Sequence, residues 1–262
     1  MILEIRSLGL AAGLSAALSA VPALAQDNES PPPYSADHII VGMGAAVVPV
    51  YQGADKYRVL PLPALDIASG RFFANLGDGI GATAIETRDV SIGASIAMMP
   101  GYRRRDVPEG VRGVDYGAGA RIFARVRAGG FVATLGGTQG FVGGTRGVVA
   151  DASLAYPVNL SRRVAVIPAV VTTWGDRKHN DRYFGITERE SQASGVEAYR
   201  AGSGFKDAAA TVTVIYRLTD RIAASASGGL VTLLGDAKDS PLVAHRTQPS
   251  GFFSLTYRFG RN

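Results

Sequence analysis

The chain has 262 residues, no cysteine, 33 glycines and a formal net charge of +5, with a mean hydropathy of +0.13. That length suits one large domain. The lack of cysteine excludes disulfides, thiolate metal sites and a lipid-modified N-terminal cysteine, so membrane attachment would have to come from the fold itself.

The first 25 residues, MILEIRSLGLAAGLSAALSAVPALA, carry Arg6 in a short head, an apolar run from Leu8 to Ala20 and the small-residue end Ala23-Leu24-Ala25. This pattern predicts a secretory signal peptide over residues 1–25, cut before Gln26. Its apolar run of about 13 residues falls short of the roughly 20 that a spanning helix needs. Residues 26–37 are polar and proline-rich and are expected to form a disordered periplasmic lead-in, leaving 38–262 for the folded domain. An exported protein without cysteine suits an oxidising envelope compartment.

Beyond that lead-in the hydrophobic pattern has period two. From Val114 to Arg127 one set of alternate positions is Val, Tyr, Ala, Ala, Ile, Ala, Val, and the other is Asp, Gly, Gly, Arg, Phe, Arg, Arg. The pattern recurs from Asp207 to Leu218 and from Phe252 to Phe259. Strands this long, with one apolar face and one small or polar face, suit a transmembrane wall better than a soluble sandwich. The spacing predicts strands at 38–48, 57–67, 71–76, 80–86, 90–100, 113–127, 130–142, 146–157, 162–174, 205–218, 221–234 and 250–259. The fold class is therefore all-β, a transmembrane antiparallel β-barrel of about 12 strands, with 10–14 compatible with the pattern. The weak points are Pro61 and Pro63, which interrupt a ladder unless they sit at an edge, bulge or rim, and the short third and fourth strands.

Connection lengths test this assignment independently. Outer-membrane barrels begin and end in the periplasm, with short turns there and longer loops outside. The odd connections include 49–56, 101–112, 175–204 and 235–249, whereas every even one has four residues or fewer. Strand-end aromatics, Tyr102, Tyr156, Trp174, Tyr216, Tyr257 and Phe259, suit the headgroup level.

Several segments resemble one family. Tyr51-Gln52-Gly53-Ala54-Asp55-Lys56-Tyr57-Arg58-Val59-Leu60-Pro61-Leu62-Pro63 resembles the first hairpin of the MipA/OmpV outer-membrane proteins of Gram-negative envelopes. Arg182-Tyr183-Phe184-Gly185-Ile186-Thr187, with Ser194-Gly195, Tyr199 and Gly202-Ser203-Gly204-Phe205-Lys206-Asp207, is similar to that family's longest loop and its return strand. Tyr216-Arg217-Leu218-Thr219-Asp220-Arg221 and Leu234-Gly235-Asp236-Ala237-Lys238-Asp239-Ser240-Pro241 also fit, so the resemblance covers essentially the whole mature chain. It implies a non-enzymatic barrel that scaffolds a lytic transglycosylase with a penicillin-binding protein in peptidoglycan remodelling. Other members are discussed as adhesins or stress-response proteins. No catalytic residues come with the resemblance. One departure is at the end, where Phe259 is followed by Gly260-Arg261-Asn262 instead of closing the chain for the barrel insertion machinery.

The residues themselves offer little chemistry. Phosphate-loop, H-E-x-x-H, G-x-S-x-G and G-x-G-x-x-G patterns are missing, and no cofactor or metal is expected. His38, His179 and His245 fall in different segments, and a serine–histidine pair of His245 with Ser240 or Ser250 has no support from spacing. Arg121, Arg125 and Arg127 share the polar face of one strand, with Arg217 and Arg258 in equivalent positions on others. They either line an anion-attracting lumen or pair with Asp115, Asp151 and Asp207 and fill a narrow interior. Arg103, Arg104 and Arg105 are expected to face outward, towards lipopolysaccharide phosphates or a host surface, or to sit in a plain solvated loop. In the stretch Thr172 to Gly185, Trp174 is expected at the outer headgroup level, with His179, Tyr183 and Phe184 in a solvated recognition loop. Outer-membrane lipid is the environment implied, and dispersed positive charge argues against nucleic acid. Besides the scaffold, the alternatives are a narrow pore for small anionic or zwitterionic solutes and a surface adhesin.

Overall fold

The computed structural model describes residues 37–259. The expected signal peptide, the lead-in up to residue 36 and the tail Gly260-Arg261-Asn262 lie outside the described residues. Period-two patterning becomes twelve antiparallel staves: β1 (His38–Pro49), β2 (Tyr57–Ser69), β3 (Phe72–Asn75), β4 (Gly79–Glu86), β5 (Val90–Met99) and β6 (Gly117–Ala128). They continue with β7 (Phe131–Val142), β8 (Val148–Ala155), β9 (Val164–Gly175), β10 (Gly204–Arg217), β11 (Ile222–Leu233) and β12 (Thr247–Phe259). Stave β8 resumes as Val158–Asn159 on the same neighbour, after a break at Tyr156-Pro157 where proline has no N–H for the ladder. Each stave pairs with the next, and β12 pairs with β1 from Ile39↔Phe259 to Val47↔Gly251, which closes the barrel. Closure pairs the first and last staves, the two edges that a flat sheet would leave open.

The pattern sorts side chains as expected for a wall between lipid and a narrow interior. Met43, Ile80, Ile122 and Leu135 point outward and are 72%, 71%, 69% and 63% exposed, a distribution that only a lipid surround would favour. Inward positions are small, polar or interlocked: Ala46, Val48, Leu62 and Phe252 pack together, as do Ala155, Ala165, Ile167, Ala169 and Ile215. Aromatics mark both rims on the outward face, with Tyr57, Phe141, Trp174 and Phe205 at one end. Phe131 and Tyr156, 4.6 Å apart, and Tyr257 and Phe259, 4.8 Å apart, mark the other. Tyr102 departs from the expected girdle, because it is buried in an outer loop.

Local chemistry sets the tight turns. Gly129 and Gly130 both have positive φ, 57° and 84°, as a two-residue type I′ hairpin between β6 and β7 requires. Ser161 accepts from the N–H groups of Arg163 and Val164, and Thr219 does the same for Arg221 and Ile222. The opposite end carries all the long connections, and the longest folds into two short helices. Helix α1 (Arg177–Phe184) is capped by Asp176, which accepts from the His179 N–H at 2.7 Å. Helix α2 (Glu188–Ser194) opens on a Thr187–Glu190 capping box and ends at Gly195 in the left-handed region.

Candidate functional site

Three clusters of polar or charged groups stand out, at different depths. In the lumen, Arg121 projects from β6 and forks onto Asp151 of β8, Nη1 at 2.5 Å and Nη2 at 3.0 Å, while its Nε donates to Asp78 at 3.2 Å. Arg125, two positions along the same face, donates to the other Asp78 oxygen at 2.8 Å. Asp78 reaches this point because the β3–β4 hairpin is short and its tip stops inside the wall; its carboxylate is a member that periodicity missed. Gly136 on β7 leaves the space that the Arg121 head fills, since an added Cβ would overlap the guanidinium. A two-to-two arrangement of charge satisfies each group at close range, the condition under which buried ions are tolerated.

The other expected lumen charges fall elsewhere. Arg127 donates to Ser91 at 3.2 Å near the periplasmic end. Arg217 reaches the Arg162 carbonyl, and Arg258 sits half-buried at the same rim. Asp115 is a correction: it is exposed in the outer loop ahead of β6, because that stave begins only at Gly117.

The second cluster lies where the outer loops meet the barrel. Between β9 and β10 the register runs Thr173↔Asp207 and then Trp174↔Phe205, so Lys206 is the extra residue of a β-bulge. The bulge turns Lys206 and Asp207 to the same side, where Nζ lies 2.6 Å from Oδ2. Both are almost wholly buried, at 1% and 2% exposure. Gln52 of the first loop bridges them, accepting from Lys206 at 3.2 Å and donating to Asp207 at 2.8 Å, and Thr173 donates to the second carboxylate oxygen at 2.6 Å. Asp207 thus pairs with its sequence neighbour and not with the arginines of β6.

Above this pair the loops build a core of their own. Tyr51 and Ala54 from the first loop meet Tyr102, Val111 and Val114 from the 100–116 loop, and Tyr183, Phe184 and Ile186 from the 176–203 loop. Ala237 and Leu242 complete it from the 234–246 loop. Hydrogen bonds lock the aromatics: Tyr51 donates to Leu242 O, Tyr102 to Tyr183 O at 2.9 Å, and Ser240 to Phe184 O at 2.6 Å. Burial pushes the Tyr102 and Tyr183 phenols far up.

Here three expectations are overturned. His179, Tyr183 and Phe184 are not solvated: they are 3%, 3% and 1% exposed. The reason is amphipathic, because α1 turns His179, Asn180, Tyr183 and Phe184 to one face, and that face covers the barrel mouth. His179 stacks on Tyr183 and exchanges a 2.9 Å hydrogen bond with Thr145. Burial first, and then the Lys206 charge, lowers its pKa to about 3, so the ring is neutral at any physiological pH. Burial works against the charged form of Glu190 too, but hydrogen bonds from Thr187 and Arg112 outweigh it and hold that carboxyl at about 2. Trp174 is half-buried at the outer end of β9, while Arg104 and Arg105 are exposed and Arg103 half-buried in the 100–116 loop. Among the described residues no group of three or more His, Asp or Glu is placed to hold a metal ion.

The third cluster is the periplasmic rim. Arg71, Arg88, Arg162, Arg163 and Arg221 are exposed on its turns, with Arg127, Arg217 and Arg258 just inside. Facing them are five carboxylates, Asp37, Asp66, Glu86, Asp89 and Asp220. Among the described residues the rim is therefore net basic, and its exposed cations are guanidinium groups able to fork onto carboxylates.

Sequence comparison gives these clusters a setting. The family model described as MltA-interacting protein MipA matches residues 41–259. YiaT of Escherichia coli strain K12, provisionally assigned to the outer membrane, is 25% identical over 115 residues, as is its counterpart in strain O157:H7. That alignment covers 44% of this chain and 46% of the relative, so it spans less than half of YiaT. Among solved structures, an outer-membrane channel from Pseudomonas putida F1 aligns over 88% of this chain and all of its own, with TM-score 0.45 and 10% identity. The KdgM porin aligns over 84% of this chain and 99% of its own, with TM-score 0.43 and 9% identity.

Proposed function

The chain belongs to the MipA family of outer-membrane proteins, matched over nearly the whole barrel, and from that premise we propose that it is a non-enzymatic scaffold. In this reading its basic periplasmic rim holds a lytic transglycosylase of the MltA type, and through it a penicillin-binding protein, at the inner surface of the outer membrane. The observation that carries the proposal is the rim itself. Arg71, Arg88, Arg162, Arg163 and Arg221 are exposed on rigid turns of a closed barrel, so an acidic partner surface meets preset guanidinium groups at little entropic cost. The family description names an MltA interaction, which supports the choice of partner. The pore reading is weaker, since Arg121 and Arg125 already spend their charge on Asp78 and Asp151. The adhesin reading loses its aromatic anchors, as Tyr183 and Phe184 are buried.

Purified barrel in detergent is mixed with an MltA-type transglycosylase, and binding is followed as salt is raised. Micromolar or tighter binding that weakens steeply with salt is expected, as is a loss of tenfold or more in Arg88→Ala/Arg162→Ala/Arg163→Ala/Arg221→Ala, at about 1 kcal/mol or less per exposed pair. Anion-selective conductance steps in a planar bilayer, together with no transglycosylase binding, would sink the scaffold and restore the pore.

A further inference from the structure

The wall is incomplete on one side. Stave β2 pairs with β1 along its whole length, but with β3 only from Asp66 to Ser69. Stave β4 meets β5 no further out than Ile80↔Ile96, so Ala97, Met98 and Met99 have only β6 beside them. Two neighbouring staves therefore end part-way up the barrel. Above the β3–β4 tip, the β2 and β5 edges stand about three strand spacings apart, or about 14 Å, and the unpaired length of β2 from Tyr57 to Leu65 runs about 30 Å along the strand.

Sequence chemistry fits an edge that is meant to stay open. The two-residue turn at Gly70-Arg71 makes Ser69 and Phe72 a bonded pair, so the odd residues of β2 turn their backbone polar groups towards β3 and the even ones towards β1. Pro61 and Pro63 are odd. They remove two N–H donors that would face the gap and cost the β1 ladder nothing, and they also discourage a strand from another molecule from pairing there. The remaining carbonyls, and the N–H groups of Tyr57, Val59 and Leu65, still need partners, because unsatisfied backbone is costly in hydrocarbon. Among the described residues no backbone–backbone hydrogen bond joins them to a neighbouring segment on the β3 side.

The gap is backed and crowned by the 100–116 loop. Arg58, at the outer end of β2, donates to Tyr116 at 2.8 Å and to Asp106 at 3.4 Å. Asp106 closes the short 3-10 turn Arg104–Asp106, which sets the exposed Arg104 and Arg105 beside the outer mouth of the gap. Below them the outward side chains are apolar, with Val59 64% and Met98 52% exposed.

We propose that this gap is a lateral docking slot for a phosphorylated glycolipid of the outer leaflet, its acyl chain along Val59, Pro61, Pro63 and Met98 and its phosphate on Arg104 and Arg105. Sugar hydroxyls and amides supply hydrogen bonds to the outer end of the open β2 edge, at Tyr57 and Val59, which a plain phospholipid does less well. The proposal is independent of the periplasmic scaffold, because slot and rim lie at opposite ends of the barrel.

The lack of cysteine makes the test clean. Full-length Val59→Cys, carrying an environment-sensitive fluorophore in detergent micelles, is titrated with lipopolysaccharide, and Leu255→Cys on the fully paired β12 serves as control. A saturable blue shift at position 59, with none at 255, is expected. Arg104→Ala/Arg105→Ala should weaken the response about tenfold or more, and Arg177→Ala/Lys178→Ala, which removes equal charge elsewhere on the outer face, should stay within about twofold. A heat-modifiable gel shift checks that each variant is folded. Equal responses at 59 and 255, or equal losses in the two double variants, would reduce the slot to ordinary lipid belt. A phosphatidylglycerol response as strong as that to lipopolysaccharide, full displacement by inorganic phosphate, or a shift that tracks dimer formation would each overturn the glycolipid assignment.

Discussion

Replacing Lys206 by methionine keeps most of the side-chain volume in the bulge and removes its charge, leaving the Asp207 carboxylate with Gln52 and Thr173 as its only donors. Side-chain exposures of 1% and 3% for the pair mean that water cannot take over. Breaking one partner of such a pair costs about 3–5 kcal/mol. Lys206→Met/Asp207→Leu removes both charges together and is expected to recover much of that loss. What remains is the cost of stranding the Gln52 amide and the Thr173 hydroxyl, about 1–3 kcal/mol; adding Gln52→Leu should recover part of it. The assay is urea unfolding in lipid vesicles, with folded and unfolded forms separated by their gel mobility. A favourable coupling of at least about 2 kcal/mol between positions 206 and 207 is expected from the double-mutant cycle. If Lys206→Met lies within about 1 kcal/mol of wild type, or the two losses simply add, the pair does not anchor the loops and the argument from the bulge fails.

Acidification should loosen the same region through His179. Its folded pKa, about 3, lies below the ordinary 6.5, so its contribution is complete above pH 6.5 and is lost as pH falls towards 3, by about 1.4 kcal/mol per unit. Going from pH 7 to 5 therefore costs about 2 kcal/mol, read as lower protection factors of amides 177–203 once the pH dependence of intrinsic exchange is divided out; Glu190 does not interfere, since its own window opens only below 4.5. Protection factors that stay unchanged at pH 5, or change equally in His179→Gln, would contradict this. In the lumen, Arg121→Met strands Asp151 and half of the Asp78 carboxylate and should destabilise the barrel by about 2–4 kcal/mol, discounted because Asp151 is partly exposed. Arg217→Ala at the rim should stay within about 0.5 kcal/mol in the same urea assay. Phe184→Ala opens a cavity in the loop core worth about 3–5 kcal/mol there. Protease cutting within 176–203 should rise while the heat-modifiable gel shift persists; loss of both would mean that the loops and wall unfold as one unit.

How far the sequence speaks depends on the range of the forces involved. Alternation is local, so the wall was legible almost residue by residue, and loop parity sorted the long loops to one end and the short turns to the other. The prolines at 61 and 63 and the short third and fourth strands are weak points of the barrel assignment, and both fall where the wall has an open edge. The loop core was not legible, because its order comes from contacts between residues as distant as Tyr51 and Leu242. Tyr183 and Phe184 look like recognition residues only until α1 is known to turn them inward. One sign was available: Thr187-x-x-Glu190 is a capping box, and it announces a helix inside the longest loop. Lys206 could not have been placed from alternation alone, since a bulge shifts the phase by one residue and moves every later side chain with it. Asp78 escaped for a related reason, as a hairpin that stops inside the barrel turns a loop carboxylate into a lumen residue.

The molecule therefore holds two structures of different origin within one chain. Neighbouring staves form by local hairpins and need only the β12–β1 seam to close, whereas the outer core needs four separate loops to converge before any of its aromatics are buried. Loop closure over such separations carries its entropic cost before the contacts repay it. The core over the mouth should accordingly form late and open early, without disturbing the wall. The periplasmic rim rests on the tight turns alone and the lateral gap on the ends of β3 and β4, so neither depends on that core staying shut. A barrel built in this way can vary or open its outer surface without disturbing either its periplasmic rim or its lateral gap.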